Sequence, residues 1–180
     1  MIVHNATKDL LRFLKTHPEV RSRIRAARDR TVLYSGRFFR PMWKETETDP
    51  DLADKQTLGY VLKRVMLPGN RHGNLAAYVD AAIQDVEREK RDVQANRDII
   101  WRALSGIFAS NAEGKVSFQI GEGVSKEIDP KKPRNVFAAT EVDVLLRNPR
   151  VDATTRDLLA YYKRCIQSKD ANINVGFISA

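Results

Sequence analysis

Five β-branched residues recur at intervals of seven: Val79, Val86, Val93, Ile100 and Ile107. Seven residues make two helical turns, so the stretch from Leu75 to about Asn111 places them on one helical stripe. The second apolar position of the heptad holds at Ile83 and Leu104 but fails at Lys90 and Arg97. A full coiled coil needs both positions. The pattern therefore predicts either one long helix with a thin middle stripe or two helices meeting near 94–96. The charged middle, Glu87 to Arg91, reads as a solvated face with i, i+4 pairs. The seam packs either on the domain's own sheet or on a second copy of the chain. The second option makes this an oligomerisation or interaction protein, a homodimer built on residues 79–107.

The rest of the chain supplies the surfaces such a helix must pack on. At 180 residues with 42% apolar and 30% charged content, it can bury a proper core. The expectation is a single domain over 1–180. Its class is mixed α/β (an α+β arrangement is compatible), helix-rich, with a small sheet of about four or five short strands. Leu10, Leu11 and Leu14 recur at helical spacing after Thr7, which is the expected N-cap. Pro18 suits the first position of a second helix over roughly 18–29. Thr31 to Tyr34 is a short β-type run ended by Ser35-Gly36. Leu58, Val61, Leu62 and Val65 predict a helix, and 69–74 a loop in which Asn74 caps the next helix.

Val116, Phe118 and Ile120 alternate with polar residues, as in a half-buried strand. Residues 124–128 are expected to return as a partner strand, and 136–139 to form a buried one. Thr140 would cap a helix over 141–147. A further helix opens at Asp152 or Thr154 and buries Leu158, Leu159, Tyr162 and Ile166. Ile173, Val175 and Phe177 close the chain as a strand. The strand–helix–helix–strand order at the end permits a parallel pair, since parallel strands need a crossover.

Several function classes are excluded or disfavoured. No apolar run approaches the ~18 residues of a membrane span, and the N-terminus does not read as a signal peptide. Cys165 is the only cysteine, so neither an intrachain disulfide nor a cysteine-based zinc site can form. These features point to a reducing, cytoplasmic setting. His4, His17 and His72 are dispersed without metal-ligand spacing, and no metal or cofactor is expected.

Charge gives the functional signal. Residues 1–44 hold eleven Lys/Arg against three Asp/Glu, whereas 45–180 are balanced. Such a bias favours polyanionic partners. On a helix over 18–29, Val20, Ile24 and Ala27 would be buried while Arg21, Arg25 and Arg28 line an adjacent face. The expectation is a basic helical N-terminal segment, residues 1–30, packed on the domain. A stretch alternating aromatic and basic residues comes after it. Arg21, Arg25, Arg28, Arg37, Arg40 and Lys44 would bind phosphates, with Phe39 and Trp43 as stacking surfaces for bases. Nucleic acid is the expected polyanion, although no zinc finger, RNP-type pattern or Gly-x-x-Gly clamp accompanies the charge.

A rival reading is an enzyme acting on an anionic or nucleotide-like small molecule. Ligands of open α/β sheets bind at the carboxyl ends of strands. Ser35 and Arg37 follow one strand; Thr140 and Glu141 follow another. Glu141 would be a general base or nucleophile. His72, in a Gly/Asn/Arg loop, is a third catalytic candidate.

Overall fold

The computed structural model describes residues 1–34, 54–120, 128–129, 132–133, 140–167 and 176–179. The chain divides into two compact units, one of residues 1–25 and 58–111, the other of 26–57 and 112–180. The expected basic segment 1–30 is thus shared between them. The fold is mixed α/β and helix-rich.

The first unit is helical. Helix α1 (Asn5–Thr16) and the single turn α2 (Pro18–Arg21) open the chain. Helices α3 (Leu58–Leu62), α4 (Leu75–Glu89) and α5 (Val93–Ser110) complete the unit. Helix α1 lies against both α4 and α5. The heptad stripe resolves into two helices. Their junction is at 90–92, earlier than expected, because Lys90 and Asp92 both adopt left-handed backbone (φ 56° and 49°). Val79, Val86 and Ile100 are at most 1% exposed, whereas Val93 and Ile107 are only half-buried. Arg97 spans the junction to pair with Glu87.

The expected cap at Thr7 is not formed. Helix α1 starts at Asn5, three residues earlier than that cap implies, and Thr7 turns inward to donate to Asn96 Oδ1 at 2.8 Å. Asn96 is wholly buried and uses both ends of its amide. Its Oδ1 also accepts from the His4 N–H at 2.9 Å. Its Nδ2 donates to the Ile2 and Asp92 carbonyls at 2.8 and 2.9 Å. One side chain thereby ties residues 2–7 to α5.

The expected helix over 18–29 ends at Arg21. A continuing helix needs the Arg21 and Ile24 carbonyls for the amides of Arg25 and Arg28. The Asn111 amide takes both instead, at 2.8 and 3.1 Å. The Ala27 N–H goes to Gln56 Oε1 at 2.8 Å. Ala26 is consequently buried where Ala27 was expected to be, and Ala27 is exposed.

At α4, Asn74 caps as the sequence implies, with Oδ1 accepting from the Ala77 N–H at 2.8 Å. Asn74→Ala leaves that first-turn donor unsatisfied and should lower whole-chain stability by about 1 kcal/mol. Urea denaturation measures this, and no shift in midpoint would show that water replaces the cap at no cost.

The second unit holds the sheet. Strands β1 (Thr31–Tyr34) and β2 (Val116–Ile120) are parallel, pairing Thr31 with Val116 and Leu33 with Phe118. Strand β5 (Gly176–Ser179) runs antiparallel on the other edge of β2. The parallel pair therefore uses the long excursion between Tyr34 and Val116 as its crossover, and the final strand pairs antiparallel. A sheet of four or five strands is an overstatement. Among the described residues, the two-residue strands β3 (Ile128–Asp129) and β4 (Lys132–Pro133) pair only with each other. Among the described residues the sheet has three strands, of which one pair is parallel. Val32, Leu33, Val116 and Phe118 fill its core with Leu145, Leu159 and Tyr162 from helices α6 (Val142–Arg147) and α7 (Ala153–Gln167). The expected strand over 136–139 lies outside the described residues, as do residues 124–127 and 173–175.

Candidate functional site

The arginines expected on one helix face do not share one, since that helix is a single turn. Arg21 is half-buried, and its Nη1 donates to the Leu14 and Lys15 carbonyls at 2.7 Å each. These are two of the four carbonyls that α1 leaves unsatisfied at its C-terminus, where a cation also complements the helix dipole. His17 Nδ1 lies 2.8 Å from a third, that of Phe13. Arg21 is therefore a helix cap. Arg25 is exposed in the first unit and Arg28 in the second. Arg37, Arg40, Lys44, Phe39 and Trp43 lie outside the described residues.

The structure adds how the first unit holds its arginines. Arg23 Nη1 donates to the Met66 carbonyl at 3.0 Å. Arg64 Nη1 donates to the Tyr60 carbonyl at 3.0 Å, with its guanidinium 3.4 Å from the centre of the Tyr60 ring. A carbonyl or a ring fixes a guanidinium in place without cancelling its charge. The unit carries fourteen Lys/Arg against eight Asp/Glu, a net of +6. Much of the acid is already paired locally, as in Asp9 with Arg12 and Asp85 with Arg88.

The same unit carries a row of half-buried rings that composition did not announce. His17 stacks on Phe13 with centroids 4.2 Å apart. Phe13 meets Tyr78 edge-on at 5.2 Å. Tyr78 stacks on His72 at 4.8 Å with planes within 8°. The signal was present in the i, i+4 spacing of Phe13 and His17, but the partner ring comes from α4. Burial pushes the Tyr78 phenol above its ordinary value, nearby Asp9 adds to the rise, and Arg71 opposes it. Arg71 is exposed and its Nε donates to His72 Nε2 at 3.3 Å. His72 thus sits in a ring stack beside a guanidinium.

The enzyme constellation is not assembled among the described residues. Ser35 and Arg37 lie outside them, and so does the Cys165 side chain. Glu141 is 5% exposed and stands in helical conformation just before α6. Among the described residues no group of His, Cys, Asp and Glu is placed to hold a metal ion, and no helix is long and apolar enough to cross a membrane. Comparison of the chain with protein-family models, with curated proteins and with solved structures finds no match in any of the three.

Proposed function

We propose that this chain is a binding protein for polyanions, with nucleic acid in the cytoplasm as the natural partner. The observation that supports it is the uncancelled charge of the first unit, where Arg21, Arg23 and Arg64 are anchored on carbonyl oxygens rather than on carboxylates. A guanidinium so placed is preorganised yet keeps its charge for phosphate. Arg23 and Arg25, both exposed, are phosphate-binding residues in that unit. Arg28, in the second unit, and Arg37, Arg40 and Lys44 extend the basic stretch in sequence. Binding rests on counterion release, so affinity falls steeply with salt.

The test is anisotropy of a labelled short DNA duplex and of labelled heparin across a salt series. The Arg23→Gln/Arg25→Gln variant should bind both more weakly. Its log–log salt slope on DNA should be shallower by about 2, close to one for each phosphate no longer neutralised. Arg21 is left intact because its loss would unravel the end of α1. No binding to either polyanion at low salt, or a slope that the double variant leaves unchanged, refutes the reading.

A further inference from the structure

Resting on that reading, we propose that the first unit prefers single-stranded nucleic acid, with an unpaired base stacking at the His72–Tyr78 end of the ring row and Arg71 taking the adjoining phosphate. Single-strand binders combine cations that follow the backbone with rings on which bases stack, and the stacking tolerates any sequence because every base has a π face. Both parts occur here within a few residues. His72 and Tyr78 are near-parallel at 4.8 Å, so they present the succession of planes that a base extends. Arg71 is bonded to the edge of His72 and is exposed, which puts a guanidinium beside the stack.

The loop that carries them is open at its two glycines. Gly69 and Gly73 bracket Arg71 and His72, both with positive φ, and a Cβ built on either would meet no atom within 4 Å. The His72 N–H is held by Asn70 Oδ1 at 2.9 Å, which sets the loop's shape before any ligand arrives. Asp9, the carboxylate that acts on Tyr78, is paired with Arg12 at 3.4 Å, which offsets its repulsion of a phosphate. The unit's net charge of +6 supplies the long-range attraction.

Three ligands separate this inference from the reading beneath it: a labelled oligothymidylate, a duplex and heparin, each measured by anisotropy on the full chain. The wild type should favour the oligothymidylate over the duplex. His72→Ala should weaken oligothymidylate binding by roughly 5- to 150-fold, the range set by loss of one stacked base. It should leave heparin within about twofold, since stacking plays no part there. His72→Phe should restore most of the loss, because it keeps a ring face, and Arg71→Gln should weaken all three ligands. Equal binding of single strand and duplex, or oligothymidylate binding unchanged by His72→Ala, overturns the stacking site while leaving the polyanion reading standing. A His72→Ala variant that loses heparin as fully as oligothymidylate also overturns it. Failure of the wild type to bind any of the three removes both.

Discussion

Asn96→Ala should destabilise the first unit by about 4 kcal/mol, enough to remove most of the stability of a marginal chain. The side chain is completely buried and makes four hydrogen bonds, two accepted and two donated. Each contributes ~1 kcal/mol net, and truncation also strands groups that water cannot easily reach. Thr7 is itself fully buried. Asn96→Asp separates shape from hydrogen bonding. It keeps the acceptor for His4 and Thr7 but points a second oxygen at the Ile2 and Asp92 carbonyls, and it buries a charge. It should be no more stable than Asn96→Ala. Denaturant midpoints of the three proteins decide this, with hydrogen exchange at the His4 amide as the local readout. An Asn96→Ala protein within ~1 kcal/mol of wild type would mean that residues 2–7 are not held through this amide.

The same latch responds to acid. The Ile2 N–H on Asp92, 2.8 Å from Oδ2, is the main reason this carboxyl lies below its usual value. Partial desolvation opposes that, while the N-terminal ammonium and Arg91 add to the lowering. A depressed folded value stabilises the folded chain above the ordinary aspartate range. That contribution is lost as pH falls through the lowered value.

Several elements could be read from the residues because their information is local. Alternation at Val116, Phe118 and Ile120 specified β2, and Asn74 specified its own cap. The helix expected over 18–29 failed for the opposite reason. Nothing within it opposes a helix, but Asn111, distant in sequence, takes the two carbonyls it needed. A periodic pattern cannot report a competing hydrogen bond from elsewhere. The basic face went with it, since three arginines at i, i+4 and i+7 align only if the backbone is helical. The ring row shows the same limit. Phe13 and His17 are neighbours by spacing, whereas Tyr78 and His72 join them only through tertiary packing of α1 on α4. The charge excess was legible throughout, because summing charges needs no geometry; its anchoring on carbonyls was not.

Gly114→Ala should cost about 3 kcal/mol in the second unit, and the reason lies across the loop in Asp29. Gly114 has φ +74°, a conformation that costs a residue with a Cβ ~1 kcal/mol. The larger part is steric. A Cβ there would lie 2.0 Å from Asp29 Oδ1 and 2.9 Å from its Cγ. Asp29 is short and cannot simply swing aside, because the same Oδ1 accepts the Lys115 N–H at 2.8 Å. Its own N–H donates to the Glu113 carbonyl at 3.0 Å, and its backbone is left-handed too (φ 65°). Gly114 is meanwhile pinned through its N–H to the Arg150 carbonyl and through its carbonyl to the Asp152 N–H, 2.8 Å each. Neither side can yield without breaking a bond that aligns the entry to β2. If this clash is the cause, Asp29→Gly should relieve it, since glycine suits φ 65° and removes the obstructing carboxylate. Asp29→Gly alone loses the bond to Lys115 and should be destabilising. Combined with Gly114→Ala it should be at least ~1 kcal/mol less damaging than the two single losses together, the mark of directly coupled sites. Strict additivity in denaturant unfolding would put the cost of Gly114→Ala in the backbone alone, and the carboxylate of Asp29 would have no part in holding the loop.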